Sequence, residues 1–233
     1  MTTSEKLIKI AENVQKNVEF GKSQGGGGDA QVLIDNMAIR DFQWQNVVFP
    51  EGYELVLNFK TTNGNNNVHS LNAVLYGATG IKTVTLICEE SGTILMGQFV
   101  RASSVEVIDI TNFKRIPRDI SYMAMVNTKL VSILGELDMS SCTSATHPFN
   151  TTTALEEIRF KEGTISIALD FHWSTKLSAE SYDSIIKGHS KEASVTLTLP
   201  AEATVRSVFD AKYGSGAWDA ITAEYPNLTI VYS

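Results

Sequence analysis

An apolar phrase recurring from Ile81 to Leu177, alternating strand and helix signals behind it, and a glycine run after an amphipathic start predict an α/β fold. The expected architecture is a leucine-rich-repeat solenoid with a short parallel sheet, an αβααβ C-terminal cap and a separate N-terminal helix. Its expected parts are an attachment or oligomerisation segment at 1–28, the solenoid with its N-terminal cap at 29–176, and a C-terminal capping subdomain at 177–233. With 233 residues, 43% of them apolar, the chain is long enough to bury a core without staples.

The first element expected is a short helix. Thr2 and Glu5 have the spacing of a capping box, in which each side chain satisfies a free N–H of the first turn. Leu7, Ile10, Val14 and Val18 then recur at three- and four-residue steps, while Lys6, Lys9, Glu12, Lys16 and Glu19 occupy other faces. Gly25-Gly26-Gly27-Gly28 cannot continue a helix and acts as a joint. A helix this short is marginal alone, so it needs a partner surface. Self-association or docking in a larger assembly is favoured over folding back, because the glycines decouple it and its stripe suits a helical seam. Gly21-Lys22-Ser23 imitates the end of a phosphate-binding loop, but that motif requires glycine where Lys16 stands.

Residues 30–80 read as the opposite lid with degenerate repeats. Strands are expected near Gln31 to Ile34, Gln43 to Phe49 and Glu54 to Lys60, with Thr61 to Asn67 as a turn or loop. The repeats proper open at Ile81, Val105, Leu130, Leu155 and Leu177, at steps of 24, 25, 25 and 22 residues. The copies at Ile81, Val105 and Leu155 share an apolar-x-x-apolar-x-apolar phrase such as Ile81, Val84, Leu86, and the third copy begins Leu130, Ile133 and reaches Leu137 and Met139 after a short insertion at Gly135-Glu136. The last two apolar residues of a phrase point inward from one strand face, so Thr85, Asp109 and Arg159 face outward. One repeat cannot complete a core, hence the stacking and the parallel sheet. Return stretches are expected at Glu90 to Thr93, Thr111-Asn112, Ser140 to Ser144 and Asn150 to Thr153, with Phe99, Met123, Met125 and Phe149 filling the core from that side.

Behind Leu177, Ser178 suits an N-cap for a helix with Tyr182, Ile185 and Ile186 that closes at Gly188. Val195 to Leu199 alternates as a strand, Ala201 to Tyr213 has helical steps at Val205, Val208 and Phe209, and Trp218, Ile221 and Tyr225 mark a shorter helix. Leu228, Ile230 and Tyr232 alternate as the last strand.

The residues Leu155-Glu156-Glu157-Ile158-Arg159-Phe160, followed by Thr175 to Ile186, resemble the final repeat and capping helix of BspA-type leucine-rich-repeat proteins. The opening Thr3 to Leu7 with Ile10 to Lys16 and the glycine run is similar to the N-terminal tag of the copies found in phages and prophages of gut Firmicutes. The repeats here lack the family's Ala-Phe and Cys positions in most copies. The resemblance implies binding or adhesion, with no catalytic residues to carry over. The expectation that follows from it is a phage or prophage virion component of the tail, baseplate or fibre, made in the bacterial cytoplasm. Its expected partners are other virion or surface proteins, a host cell-surface glycan or protein, and further copies of itself through the N-terminal helix. The alternative is a bacterial cell-surface adhesin.

The chemistry-bearing residues fit a non-enzymatic role without cofactor or metal. A formal charge of −7 opposes nucleic-acid binding, and no apolar run reaches about 18 residues, so no membrane span is expected. Charges interrupt the opening helix, so no signal peptide is expected. Cys88 and Cys142 make no disulfide framework. His69, His147, His172 and His189 form no metal pattern and read as surface or turn residues. Adjacent Glu156 and Glu157 would point to opposite strand faces and cannot act as an acid/base pair, and no Gly-x-Ser-x-Gly turn occurs. Asn150 and Asn227 begin sequons that matter only in a eukaryotic secretory route. Asp170, His172 and Trp173 are the candidate ligand-binding surface, an acid, an imidazole and an indole suited to a carbohydrate. The competing and favoured reading is that Phe171 or Trp173 plugs the interior, since large aromatics bury their area.

Overall fold

Recurring Val, Ile and Leu at alternate positions commit the first half of the chain to strands, and the structure, a computed structural model, shows how they pair. It describes residues 30–33, 44–59 and 70–233. The expected helix with Leu7, Ile10, Val14 and Val18, the glycine joint, the loop at 61–67 and His69 lie outside the described residues. Within them the chain is mixed α/β, with two short parallel sheets and three helices.

The first sheet contains β1 (Ala30–Leu33), β2 (Val48–Asn58), β3 (Thr79–Leu95), β4 (Val107–Asp119) and β5 (Ser132–Leu134) in chain order, every pair parallel. Pairing joins residues one sequence repeat apart, as Thr83 with Val107 and Val107 with Ser132. The insertion at Gly135-Glu136 appears as a register change: Ser132 bridges Glu157, but Leu137 bridges Phe160. Ile81, Val84, Leu86, Val105, Ile108, Leu130, Ile133, Leu155 and Ile158 are all buried in one continuous core.

Three expectations need correction. The strands expected at Gln43 to Phe49 and Glu54 to Lys60 are not separate within the described residues, because β2 runs unbroken from Val48 to Asn58 with register shifts between Val48 and Glu54, while Trp44 to Val47 lie outside it. Glu90 to Thr93 and Thr111-Asn112 are not return turns. They stay extended inside β3 and β4, where Ile87 pairs with Asn112 and Gly92 with Arg115, so ladder bonds override local turn preference. The Leu155 phrase forms bridges at Glu157 and Phe160 and no full strand.

Between strands the chain turns through corners with a regular bond pattern. Alternate N–H groups bond within the corner, as Val74 to Leu71 O and Tyr76 to Ala73 O. Those between them donate to the next repeat: Leu71, Ala73, Leu75 and Gly77 to the carbonyls of Leu95, Gly97, Phe99 and Arg101. Met96 to Ala102 and Ile120 to Val126 repeat the pattern. Phe99, Met123 and Phe149 are buried here as expected, and Met125 is half-buried.

After Leu177 the order helix, strand, helix, helix, strand follows the sequence expectation: α1 (Ala179–Gly188), β7 (Val195–Leu199), α2 (Glu202–Tyr213), α3 (Ala217–Ala223) and β8 (Leu228–Tyr232). The short β6 (Leu169–Asp170) pairs with β7, and β7 with β8, all parallel. Ser178 Oγ accepts from Ser181 N at 3.1 Å and caps α1. The helix then satisfies the preceding phrase through side chains: Ser181 Oγ accepts from Ile158 N, and Ser184 Oγ accepts from Phe160 N at 2.8 Å. Hydroxyls on one helix face thus take the place a further strand would fill. Trp218 packs edge-on to Tyr182 and Phe209 and donates its indole N–H to Tyr232 Oη at 2.8 Å, tying α1, α2 and β8 together.

Candidate binding surface

The strand β6 and the corner after it set the positions of the three proposed surface residues. Leu169 and Phe171 alternate inward and are buried, which turns Asp170 outward. Phe171 is the plug: it stacks on Phe149 with centroids 4.9 Å apart and meets Phe160 edge-on. Trp173 stays 47% exposed. The two sequence alternatives therefore divide between neighbours, one aromatic filling the core and the other reaching solvent.

Asp170 organises the site. Its Oδ1 accepts from the His172 backbone N–H at 3.0 Å and lies 2.7 Å from His172 Nδ1, while Oδ2 is 3.7 Å from His147 Nδ1. The carboxylate is thus flanked by two imidazoles, one from each of two successive repeats. The His172 ring in turn lies 4.8 Å from the Trp173 ring. Asp170, His172 and Trp173, close in sequence, therefore lie side by side in space.

Sequence reading missed how far this surface extends. His147, taken as a turn histidine, touches Tyr122, with ring centroids 6.4 Å apart. The Arg101 guanidinium lies 5.6 Å from the Tyr122 centroid and 5.5 Å from that of Tyr76, and Nη1 donates to Gln98 Oε1. A contiguous file of rings and charges runs Tyr76, Arg101, Tyr122, His147, Asp170, His172, Trp173. Crossing four repeat steps of about 4.8 Å, it is roughly 19 Å long. The available signal was periodic: Gln98, Tyr122 and His147 stand 24 and 25 residues apart. Each has positive φ, which turns the corner so that these side chains face outward.

His189 is a correction among the histidines. It is 1% exposed, not a surface residue, because it follows α1 directly and folds under it, where Nδ1 donates to Ile185 O at 2.7 Å. Burial holds its imidazole below the ordinary histidine range, partly opposed by that hydrogen bond. Cys88 and Cys142 are both free and buried. Among the described residues no group of three or more His, Cys, Asp or Glu side chains is placed to hold a metal ion, and no helix is long and apolar enough to cross a membrane. Comparison of the chain with protein-family models, curated proteins and solved structures finds no match.

Proposed function

We propose that this chain is a leucine-rich-repeat solenoid that binds without catalysing, and that the file from Tyr76 to Trp173 receives a surface glycan. The regular parallel pairing of residues one sequence repeat apart supports the solenoid, and the hydroxyls of Ser181 and Ser184 closing the last phrase support a capping role for the C-terminal elements. The observation that carries the binding role is Trp173, a half-exposed indole beside a carboxylate bonded to the His172 imidazole and flanked by that of His147. Aromatic faces stack on sugar C–H surfaces while Asp170, His172 and Arg101 offer hydrogen bonds. Stacked repeats hold these groups in place before a ligand arrives, which lowers the ordering cost of binding. The setting that follows from the family resemblance is a phage or prophage particle, with the glycan on the host surface and self-association through the N-terminal helix.

The test is a glycan array with the purified chain, followed by titration calorimetry on the strongest hit. Trp173→Ala and Tyr122→Ala each weaken that hit at least tenfold with unchanged circular dichroism. Binding indifferent to both substitutions refutes this surface as the site.

A further inference from the structure

Arg101 is the charge that the aromatic file leaves without a counterion. Its guanidinium lies between a tyrosine of the preceding repeat and one of the following repeat, 5.5 Å from the Tyr76 ring centroid and 5.6 Å from that of Tyr122. Rings on both sides restrict how the planar group can turn, so its N–H bonds are aimed before a ligand arrives. Nη1 donates to Gln98 Oε1 at 3.2 Å. Among the described residues Arg101 forms no ion pair, and Nε and Nη2 have no hydrogen-bond partner. The side chain is half-buried, yet neither nitrogen is among the buried unpaired atoms, so both remain open to water. These two nitrogens form the edge of a guanidinium that grips both oxygens of one carboxylate.

The acid of the file is in the opposite condition. Asp170 is already engaged, with Oδ1 2.7 Å from His172 Nδ1 and 3.0 Å from the His172 backbone nitrogen. It also stands three repeat steps from Arg101, roughly 14 Å at about 4.8 Å per step, which exceeds the Debye length of about 8 Å at physiological salt. Its charge therefore does not cancel that of Arg101. A neutral sugar laid along the file would displace water from the guanidinium and supply no anion in return. A sugar acid would supply the anion and both acceptor oxygens at once.

We infer that the glycan received by this file is acidic, with a sugar carboxylate on Arg101 Nε and Nη2 while neighbouring rings of the same glycan lie on Tyr122 and Trp173. The inference rests on the glycan reading of the surface and adds the chemical class of the ligand.

Two matched pairs serve as probes in titration calorimetry on the whole chain: trigalacturonate with galactotriose, its carboxyl-reduced counterpart, and sialyllactose with its carboxamide. At least one acid binds at least tenfold tighter than its neutral counterpart, and Arg101→Gln abolishes that preference with unchanged circular dichroism. Arg101→Lys retains a cation without the fork and reduces the preference; it decides the matter should the glutamine variant fail to fold. Trp173→Ala weakens both members of the pair and leaves their ratio in place. Absence of binding by both acids, equal affinity within both pairs, or an acid preference kept in full by a folded Arg101 variant overturns the inference. Equal affinity within the pairs, with binding still dependent on Trp173, leaves the glycan surface standing and removes only its acid specificity. Indifference of both pairs to Trp173→Ala tells against the surface reading instead, whatever Arg101→Gln does.

Discussion

Replacing Asn127 with alanine tests whether the repeats are held together through buried side chains. Asn127 is fully buried and makes four bonds: Nδ2 donates to Val105 O at 3.0 Å and Ser103 Oγ at 3.3 Å, and Oδ1 accepts from Lys129 N and Leu130 N, both at 3.1 Å. Two of these reach the preceding repeat and two fix the approach to Leu130, which opens the next phrase. Alanine leaves the Leu130 N–H and the Val105 carbonyl buried without that partner. At about 1–3 kcal/mol for each orphaned group, the loss is about 2–6 kcal/mol. For a chain of this size that lowers the melting temperature by roughly 4–24 °C, at about 2–4 °C per kcal/mol. Urea unfolding followed by far-ultraviolet circular dichroism measures it, with exposed Asn112→Ala as a control expected within about 0.5 kcal/mol of the parent. A loss below about 0.5 kcal/mol for Asn127→Ala would refute the idea that these bonds couple one repeat to the next.

Two further outcomes follow from burial. Phe171→Ala empties the space between Phe149 and Phe160 and costs about 3–5 kcal/mol, whereas half-exposed Trp173→Ala costs under about 1 kcal/mol; equal losses in urea unfolding would contradict the division of the two aromatics between core and surface. Native His189 stays neutral below the pH at which an unfolded histidine, near 6.5, takes up a proton. The unfolded state then binds more protons, so stability present above about pH 6.5 is lost as pH falls toward the depressed native pKa, by at most about 1.4 kcal/mol per pH unit. Melting temperatures of parent and His189→Asn between pH 7.5 and 5.5 check this, the variant showing the shallower decline; parallel curves would exclude His189 as a source.

The readable parts of the sequence were those in which one residue type has one local consequence. Spaced Ile, Val and Leu gave the buried strand faces, and Ser178, Tyr182, Ile185 and Ile186 gave α1, because helix caps and apolar periodicity act within a few residues. Glu90 to Thr93 misled because its turn composition is overruled by a neighbour 23 residues away: Gly92 lies opposite Arg115, where a side chain would strike the guanidinium. His189 misled because its burial depends on the packing of α1, which no short window contains. At the surface, Asp170, His172 and Trp173 were legible as sequence neighbours, while Tyr76, Arg101, Tyr122 and His147 join them only through register between repeats. The buried polar file of Ser103, Asn127, Thr152 and Ser174 was unread for the same reason, although each residue stands two or three positions before a phrase-opening apolar residue.

The corners show why such register is hard to lose once formed. Ala73, Gln98, Tyr122 and His147 have φ between 45° and 58°, and four residues later Gly77, Ala102, Val126 and Thr151 have φ between 53° and 66°. Seven of these eight are not glycine, and for β-branched Val126 and Thr151 the left-handed region is costly, about 1–2 kcal/mol each. An isolated repeat has little to offset that strain. In the folded chain, the N–H of Tyr122 reaches Thr146 O at 2.8 Å and that of Val126 reaches Asn150 O at 2.8 Å, so the strained conformation is also the one that bonds to the next sequence repeat. A corner therefore forms together with its neighbour or not at all, and the groups it carries outward, Tyr122 and His147 among them, inherit their spacing from that coupling. The rigidity expected of the aromatic file is in this sense a property of the backbone beneath it.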